Sequence, residues 1–388
     1  MTGSGHLRAA FAAVILFAGG CSFAPGDYID KLTSSGPVLK PADLTAIKPG
    51  ANAKILWRGS VGSAEKYVFA PMLDGGVVYA TGTAGQITRF DAGTGKQLTR
   101  IDAKQRLSGG VGGDGRLILA GTDKGEVLAF DPSGKLSWKA QITSDVLSAP
   151  QVDQGIVVVR SGDGRIYGFD AATGSRKWIY QRTLPALTVR TNVGVVLHRG
   201  AVFAGFPGGR LVALNLINGN VGWEATVALP KGSTELERVA DISSPPVHDG
   251  KQVCAVAFQG RVACFDLSKG ALLWARDISS VTGMAMDGLS VYVSDEKSAV
   301  VAFDKISGAS LWKQDKLYGR SISMPVIAGR YIAVGDYQGY LHVLSREDGS
   351  FVARIATDGS AITAPPNLMG DNILVQTRNG GLFAIGIQ

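Results

Sequence analysis

Residues 164–178 read Gly164-Arg165-Ile166-Tyr167-Gly168-Phe169-Asp170-Ala171-Ala172-Thr173-Gly174-Ser175-Arg176-Lys177-Trp178. Apolar residues alternate up to Phe169, as a half-buried strand requires. Asp170 is a turn residue that bonds its own backbone, and Gly174 accepts the positive φ that ends such a turn. Trp178 is a large, stiff body able to fill a wedge between neighbouring sheets while using its N–H. The same frame returns with Gly260, Phe265-Asp266, Gly270 and Trp274, and with Gly209, Leu214-Asn215, Gly219 and Trp223. Gly125, Phe130-Asp131, Gly134 and Trp138 shorten the turn by one residue. Phe303-Asp304, Gly308 and Trp312 keep the frame with Ser298 in place of the first glycine. Two copies lack the tryptophan: Phe90-Asp91-Gly95 leads to Thr99, and Leu344-Ser345-Gly349 leads to Ala353.

The Asp slots at 91, 131, 170, 215, 266, 304 and 345 are spaced by 40, 39, 45, 51, 38 and 41 residues. A unit of about 40 residues suits a four-stranded propeller blade. Upstream of several slots an Ala-Pro, Ser-Pro or Met-Pro pair, a turn and a β-branched run recur, as in Ala149-Pro150 with Val157-Val158-Val159, Ser244-Pro245 with Val253 and Met324-Pro325 with Ile332. The last copy, Gly380-Gly381-Leu382-Phe383-Ala384-Ile385, runs out before its tryptophan strand, and Ala53-Lys54-Ile55-Leu56-Trp57 supplies such a strand at the other end. All six tryptophans therefore share one slot. The expected fold is all-β: an eight-bladed β-propeller of four-stranded blades over residues 53–388, its ring closed by N- and C-terminal strands in one blade.

Composition agrees. The 388 residues are 45% hydrophobic and 18% charged, with 52 glycines, which suits a turn-rich β-protein with a large core. The net charge of +7 comes without any run of five Lys or Arg, so nucleic acid is not an expected partner. At the N-terminus, His6 and Arg8 precede an apolar run over 9–18, then Gly19-Gly20-Cys21. The run is too short to span a bilayer and suits a signal peptide. Small residues before a lone cysteine resemble the lipobox of bacterial lipoproteins, with Ala18 where leucine is usual. That resemblance implies a signal peptide over 1–20, lipid on Cys21 and, with Ser22 following, sorting to the outer membrane. Residues 21–52, with Pro25, Pro37, Pro41 and Pro49, read as a tether. The alternative is a soluble secreted protein cut near the same place.

No catalytic pattern stands out. His6, His198, His248 and His342 lack metal-ligand spacing; His342 lies in a strand pattern and is expected to be packed or solvent-facing. Cys254 and Cys264 are too few for a zinc site. They flank Phe258-Gln259-Gly260: a three-residue turn with glycine in the left-handed region would set them face to face for a disulfide, and a two-residue turn would forbid it. Gly205-Phe206-Pro207-Gly208-Gly209 reads as a strand–turn–strand junction, since no helix pattern follows.

The repeat resembles that of the pyrroloquinoline-quinone (PQQ) dehydrogenase propellers and their non-enzymatic relatives. Within that set, the chain resembles the BamB family of outer-membrane assembly lipoproteins over nearly all of 21–388. The more specific matches are segments that the repeat does not explain: 184–190 (Leu184 to Arg190), 232–241 (Gly232 to Asp241) and 334–342 (Val334 to His342). The resemblance implies a non-catalytic scaffold, without cofactor, that binds a POTRA domain of BamA and aids folding of outer-membrane β-barrel clients. Residue by residue it places Leu187, Val189, Arg190 and Asp241 at the BamA contact. The family often has Leu where Val189 stands and a second Asp where Ser243 stands. The 45- and 51-residue intervals put the extra length in these same segments, as a binding face would, and Leu187 and Val189 beside Arg190 have the composition of an interface hot spot. The competing readings are that Leu187 and Val189 open the fourth blade as a buried strand, and that Asp241 only bonds local backbone. A quinoprotein-like oxidoreductase remains the enzyme alternative; against it, the chain has no adjacent cysteines and its tryptophans all serve the repeat.

Overall fold

The computed structural model of the chain describes residues 40–189 and 191–388. Every regular element there is a strand, from β1 (Ala53–Ser60) to β32 (Gly381–Ile387), and the strands form eight four-stranded sheets. Blades one to seven occupy residues 72–102, 107–141, 151–180, 196–226, 247–277, 283–314 and 326–356. Blade eight combines β1 with the last three strands in the order β1-β32-β31-β30, where β30 is Asn367–Met369 and β31 is Asn372–Gln376. Trp57 pairs with Ala384 and Arg58 with Phe383, so the two chain ends close the ring.

The repeat residues meet across blades rather than within one. Each tryptophan N–H donates to the backbone carbonyl just after the Asp slot of the next blade, at 2.7–3.1 Å; Trp138 reaches Ala171, and Trp178 reaches Leu216. Each indole lies on the turn glycine of that blade, at 95, 174, 219, 270, 308 or 349. These glycines have φ of 67–72°, and a Cβ on any of them would stand 2.4–2.7 Å from the indole. The glycine is thus required twice, for its left-handed backbone and for the close approach of the neighbouring ring. A bulge beside each Phe-Asp pair, or beside Leu214-Asn215 and Leu344-Ser345 in its place, recurs in the third-to-fourth strand pairing of blades one to seven, as at Gly168/Phe169, and increases local twist.

Two seams lack the tryptophan and are filled differently. Between blades one and two, Ile101 lies against Gly134. Between blades seven and eight, where Ala353 occupies the slot, residues 41–52 run along the ring. Gly50 and Ala51 donate to the Val352 carbonyl, and Asn52 and Gln388 exchange backbone hydrogen bonds. Ala51 packs with Val352, Ala353, Tyr331 and Ile387.

Two arginines hold the start of this strap: Arg320 donates to the Ala42 carbonyl and Arg354 to that of Thr45. Both belong to a buried cluster. Arg320 bonds Asp336 through Nε and Nη2, at 2.9 and 2.7 Å. His342 Nε2 lies 2.8 Å from the same carboxylate, and Arg354 Nε donates to His342 Nδ1 at 3.2 Å. Because Nδ1 accepts, the proton of neutral His342 sits on Nε2 and is donated to Asp336. Burial holds the His342 imidazole below its ordinary pKa despite the pull of Asp336. His342 is therefore packed, the first of its two expected placements.

Candidate partner-docking site

The two longest connections between blades are residues 181–195, after β13 (Arg176–Tyr180), and 227–246, after β17 (Val221–Thr226). Leu187 and Val189 lie in the first, well ahead of β14 (Val196–His198), so they do not form the opening strand of blade four. Leu184 anchors this loop against Gly164 and the apolar core of blades three and four. Leu187 is 44% exposed and Val189 half-buried.

Asp241 lies in the second connection and is buried, at 2% exposure. Its Oδ2 accepts the Val189 N–H at 2.7 Å, and its Oδ1 accepts that of Gly208 at 3.0 Å. Its own backbone carbonyl accepts the Phe258 N–H at 2.8 Å. One residue thus joins the loop over 181–195, the blade-four turn at 207–209 and the blade-five hairpin tip. A carboxylate is suited to this, since it offers two acceptors and each N–H bond to a charged group is strong. Ser243, at the family's second acidic position, is buried and spends its hydroxyl on the Ser280 carbonyl.

The rest of the second connection carries a single helical turn with a capping box. Glu237 Oε2 accepts the N–H groups of Ser233 and Thr234, and Thr234 Oγ1 accepts that of Glu237. Those bonds, from Ser233 first, hold the Glu237 carboxyl below the usual range. The turn lifts Leu236 to 72% exposure, and Leu229 before it is 59% exposed. With its amide nitrogen turned toward them, Gln259 donates to the carbonyls of Leu236, Glu237 and Val239, at 3.0–3.2 Å. The Thr-x-x-Glu spacing was available in the sequence as a capping signal. The role of Gln259, 22 residues beyond Glu237, was not.

Gln259 is the middle residue of the Phe258-Gln259-Gly260 tip, which joins β19 (Gln252–Val256) to β20 (Arg261–Asp266). The turn has three residues, Cys254 pairs with Cys264, and the two form a fully buried disulfide. One expectation needs correction: the left-handed residue is Gln259, with φ of 48°, and not Gly260. Gly260 is required because a Cβ would stand 2.7 Å from that of Ala228 and 2.8 Å from that of Ala257.

Beneath the first loop lies a cleft of about 360 Å³, lined by residues that include Ser148, Arg160, Thr188, Val189, Thr191 and Asp241. Among the described residues no three His, Cys, Asp or Glu side chains are placed to hold a metal ion. Leu187, Val189 and Asp241 are therefore brought into one corner spanning blades three to five. The segment over 334–342 belongs instead to blade seven and its strap. Cys21 and Arg190 lie outside the described residues.

The model of the family described as "Outer membrane protein assembly factor BamB" matches residues 83–314 and 296–388. The chain belongs to the BamB family. BamB of Nitrosomonas eutropha is 45% identical over 393 aligned residues, which span 100% of this chain and 96% of that protein. The crystal structure of BamB from Moraxella catarrhalis matches with a TM-score of 0.79 at 25% identity, covering 86% of this chain and 100% of that one. The quinohemoprotein alcohol dehydrogenase of Comamonas testosteroni matches with a TM-score of 0.69 at 13% identity, over 86% of this chain and 76% of that one. At that identity the likeness to the dehydrogenase is one of fold alone. Members of the BamB family are named as assembly factors and not as enzymes, which fits a ring whose tryptophans each serve a seam.

Proposed function

We propose that the protein is a non-catalytic scaffold of the outer-membrane β-barrel assembly machinery, docking through the loops over 181–195 and 227–246 onto the periplasmic POTRA region of BamA. Lipid on Cys21 would hold it at the periplasmic face of the outer membrane, where two or more anchoring contacts give stable attachment, and its clients are outer-membrane proteins. Leu187, Val189 and Arg190 form the contact. Asp241 positions that contact from below instead of touching the partner.

The observation that carries this reading is the Asp241 carboxylate bonded to Val189 and Gly208. It spends a buried charge on the shape of a loop whose apolar Leu187 is left facing solvent, and exposed apolar residues held in place are a mark of interaction sites. The test is capture of a purified BamA POTRA fragment by wild type, Leu187→Ala, Arg190→Ala and Asp241→Asn. Each variant is expected to lose most of the capture while keeping a cooperative melt. Unchanged capture by Arg190→Ala and Leu187→Ala would remove the site from these loops.

A further inference from the structure

Two guanidinium groups face the ring of Phe206: Arg160 with its Cζ 4.9 Å from the centroid, and Arg182 at 5.2 Å. Arg182 has its counter-charge within the chain, Glu224, at 3.3 Å. Arg160 has none among the described residues. It is 9% exposed, and among the described residues its side chain makes one hydrogen bond, from Nη1 to the Gly205 carbonyl at 2.6 Å. Burial pushes its pKa down to about 10, with no carboxylate among the described residues offsetting the loss of hydration. It therefore remains charged at neutral pH. A buried charge without a partner is costly and is rarely retained without a use.

Arg160 ends β11 (Ile156–Arg160) and lines the cleft beneath the 181–195 loop. The carboxylates of the same cleft are committed elsewhere. Asp241 accepts two backbone N–H groups, Asp163 is paired with Arg165, and Asp145 accepts the Ser144 hydroxyl. Ser148, Thr188 and Thr191 offer hydroxyl donors around the opening. At about 360 Å³ the space holds on the order of ten waters, which is ample for one acidic side chain. A guanidinium fork with free N–H groups in a pocket is suited to a planar carboxylate.

We propose that the Arg160 cleft receives an aspartate or glutamate side chain of the protein that docks on the 181–195 loop, so that the missing counter-ion arrives with the partner. The inference rests on the docking reading above and extends it from the loop's outer face to the cleft beneath. It gives Arg160 a role separate from Leu187: the leucine supplies apolar contact, and the buried arginine selects for an acidic residue at one place.

Two measurements test it separately from the docking reading. In the first, binding of the BamA POTRA fragment is compared for wild type, Arg160→Met and Arg160→Lys, each with its melting temperature. The expected result is at least about tenfold weaker binding by Arg160→Met, as loss of a charge-assisted pair implies. Arg160→Lys should fall between, and the methionine variant should melt no lower than wild type because an uncompensated charge has been removed. Equal binding by Arg160→Met overturns the inference and leaves the docking site standing; so does a lower melting temperature, which would make the charge structural. In the second, acetate replaces chloride at constant ionic strength and the Arg160 Nε–H signal is followed by NMR. A saturable shift in wild type supports a carboxylate site even if the POTRA fragment fails to bind, in which case only the named partner is wrong. A signal that acetate leaves unmoved overturns the inference.

Discussion

The seams of the ring and the corner spanning blades three to five hold their parts by different physics. At a seam, an indole fills the wedge against a glycine of the next blade and its N–H meets a carbonyl there. The contact is apolar, buried and repeated, and the ring is stable through many such pairs. At the corner, Asp241 gathers three stretches of backbone with hydrogen bonds, and Leu187, Leu229 and Leu236 remain exposed. Packing makes the seams rigid by filling space. The corner is positioned without being filled, which leaves apolar surface free for a partner.

The comparison can be broken most severely at ring closure. Deleting residues 380–388 removes β32, which pairs with both β1 and β31. The expected outcome is loss of the cooperative unfolding transition; a retained sharp melt would mean that the split blade does not close the ring. Next in size, Trp138→Ala opens a single seam and should cost about 3–5 kcal/mol in chemical denaturation, with POTRA capture intact in the folded fraction. Equal loss of capture and stability would show that seams and corner are one unit.

Asp241→Asn tests the corner from the other side. It replaces one charged acceptor by a donor facing the N–H of Val189 or Gly208, at a cost of about 1–3 kcal/mol. The expected signature is rapid amide hydrogen exchange at Val189 and lost capture, while the tryptophan seams keep their protection. Leu187→Ala should change stability by less than about 0.5 kcal/mol, yet weaken capture. If the two variants weaken capture in step with their melting temperatures, the corner is no more than another packed seam.

The smallest expected effect is pH-dependent and lies in the strap. The folded-state pKa of His342 is depressed, so its contribution is fully present above the unfolded value of about 6.5 and is lost as pH falls through the folded value. Protonation would put an N–H on Nδ1 against Arg354 Nε–H. Melting temperature should therefore be flat above about pH 7 and decline in the acid range below 6.5, and His342→Gln should flatten that decline. An unchanged slope in His342→Gln would place the titration elsewhere.

Much of this was legible because the repeat is local. Phe-Asp, the turn glycine and the tryptophan lie within nine residues of one another, and the roughly 40-residue period leaves one architecture that fits. The extra length around 187 and 241 was equally visible. Less visible was how differently those two positions are placed. Asp241 looked like a contact residue beside Leu187, and only folding shows it buried with both oxygens on backbone N–H groups. Glycine is the usual left-handed residue of a three-residue tip, yet at the blade-five tip Gln259 takes that position; the crowding of Ala228 and Ala257 around Gly260 has no signal in the sequence.

By itself, then, the order of residues determined the blade, the number of blades and the split that joins the chain ends, since period, turn chemistry and strand alternation act over short distances. The tertiary structure decided which repeat residues touch: Trp138 meets Gly174 of the following blade, and residues 41–52 occupy the seam where Ala353 lacks an indole. It also decided that Arg160 is buried without a counter-charge among the described residues while Arg182, on the same ring, has one. Charge balance in a folded chain depends on which side chains come within a few ångströms of each other in a low-dielectric interior, and no spacing in the sequence encodes that distance.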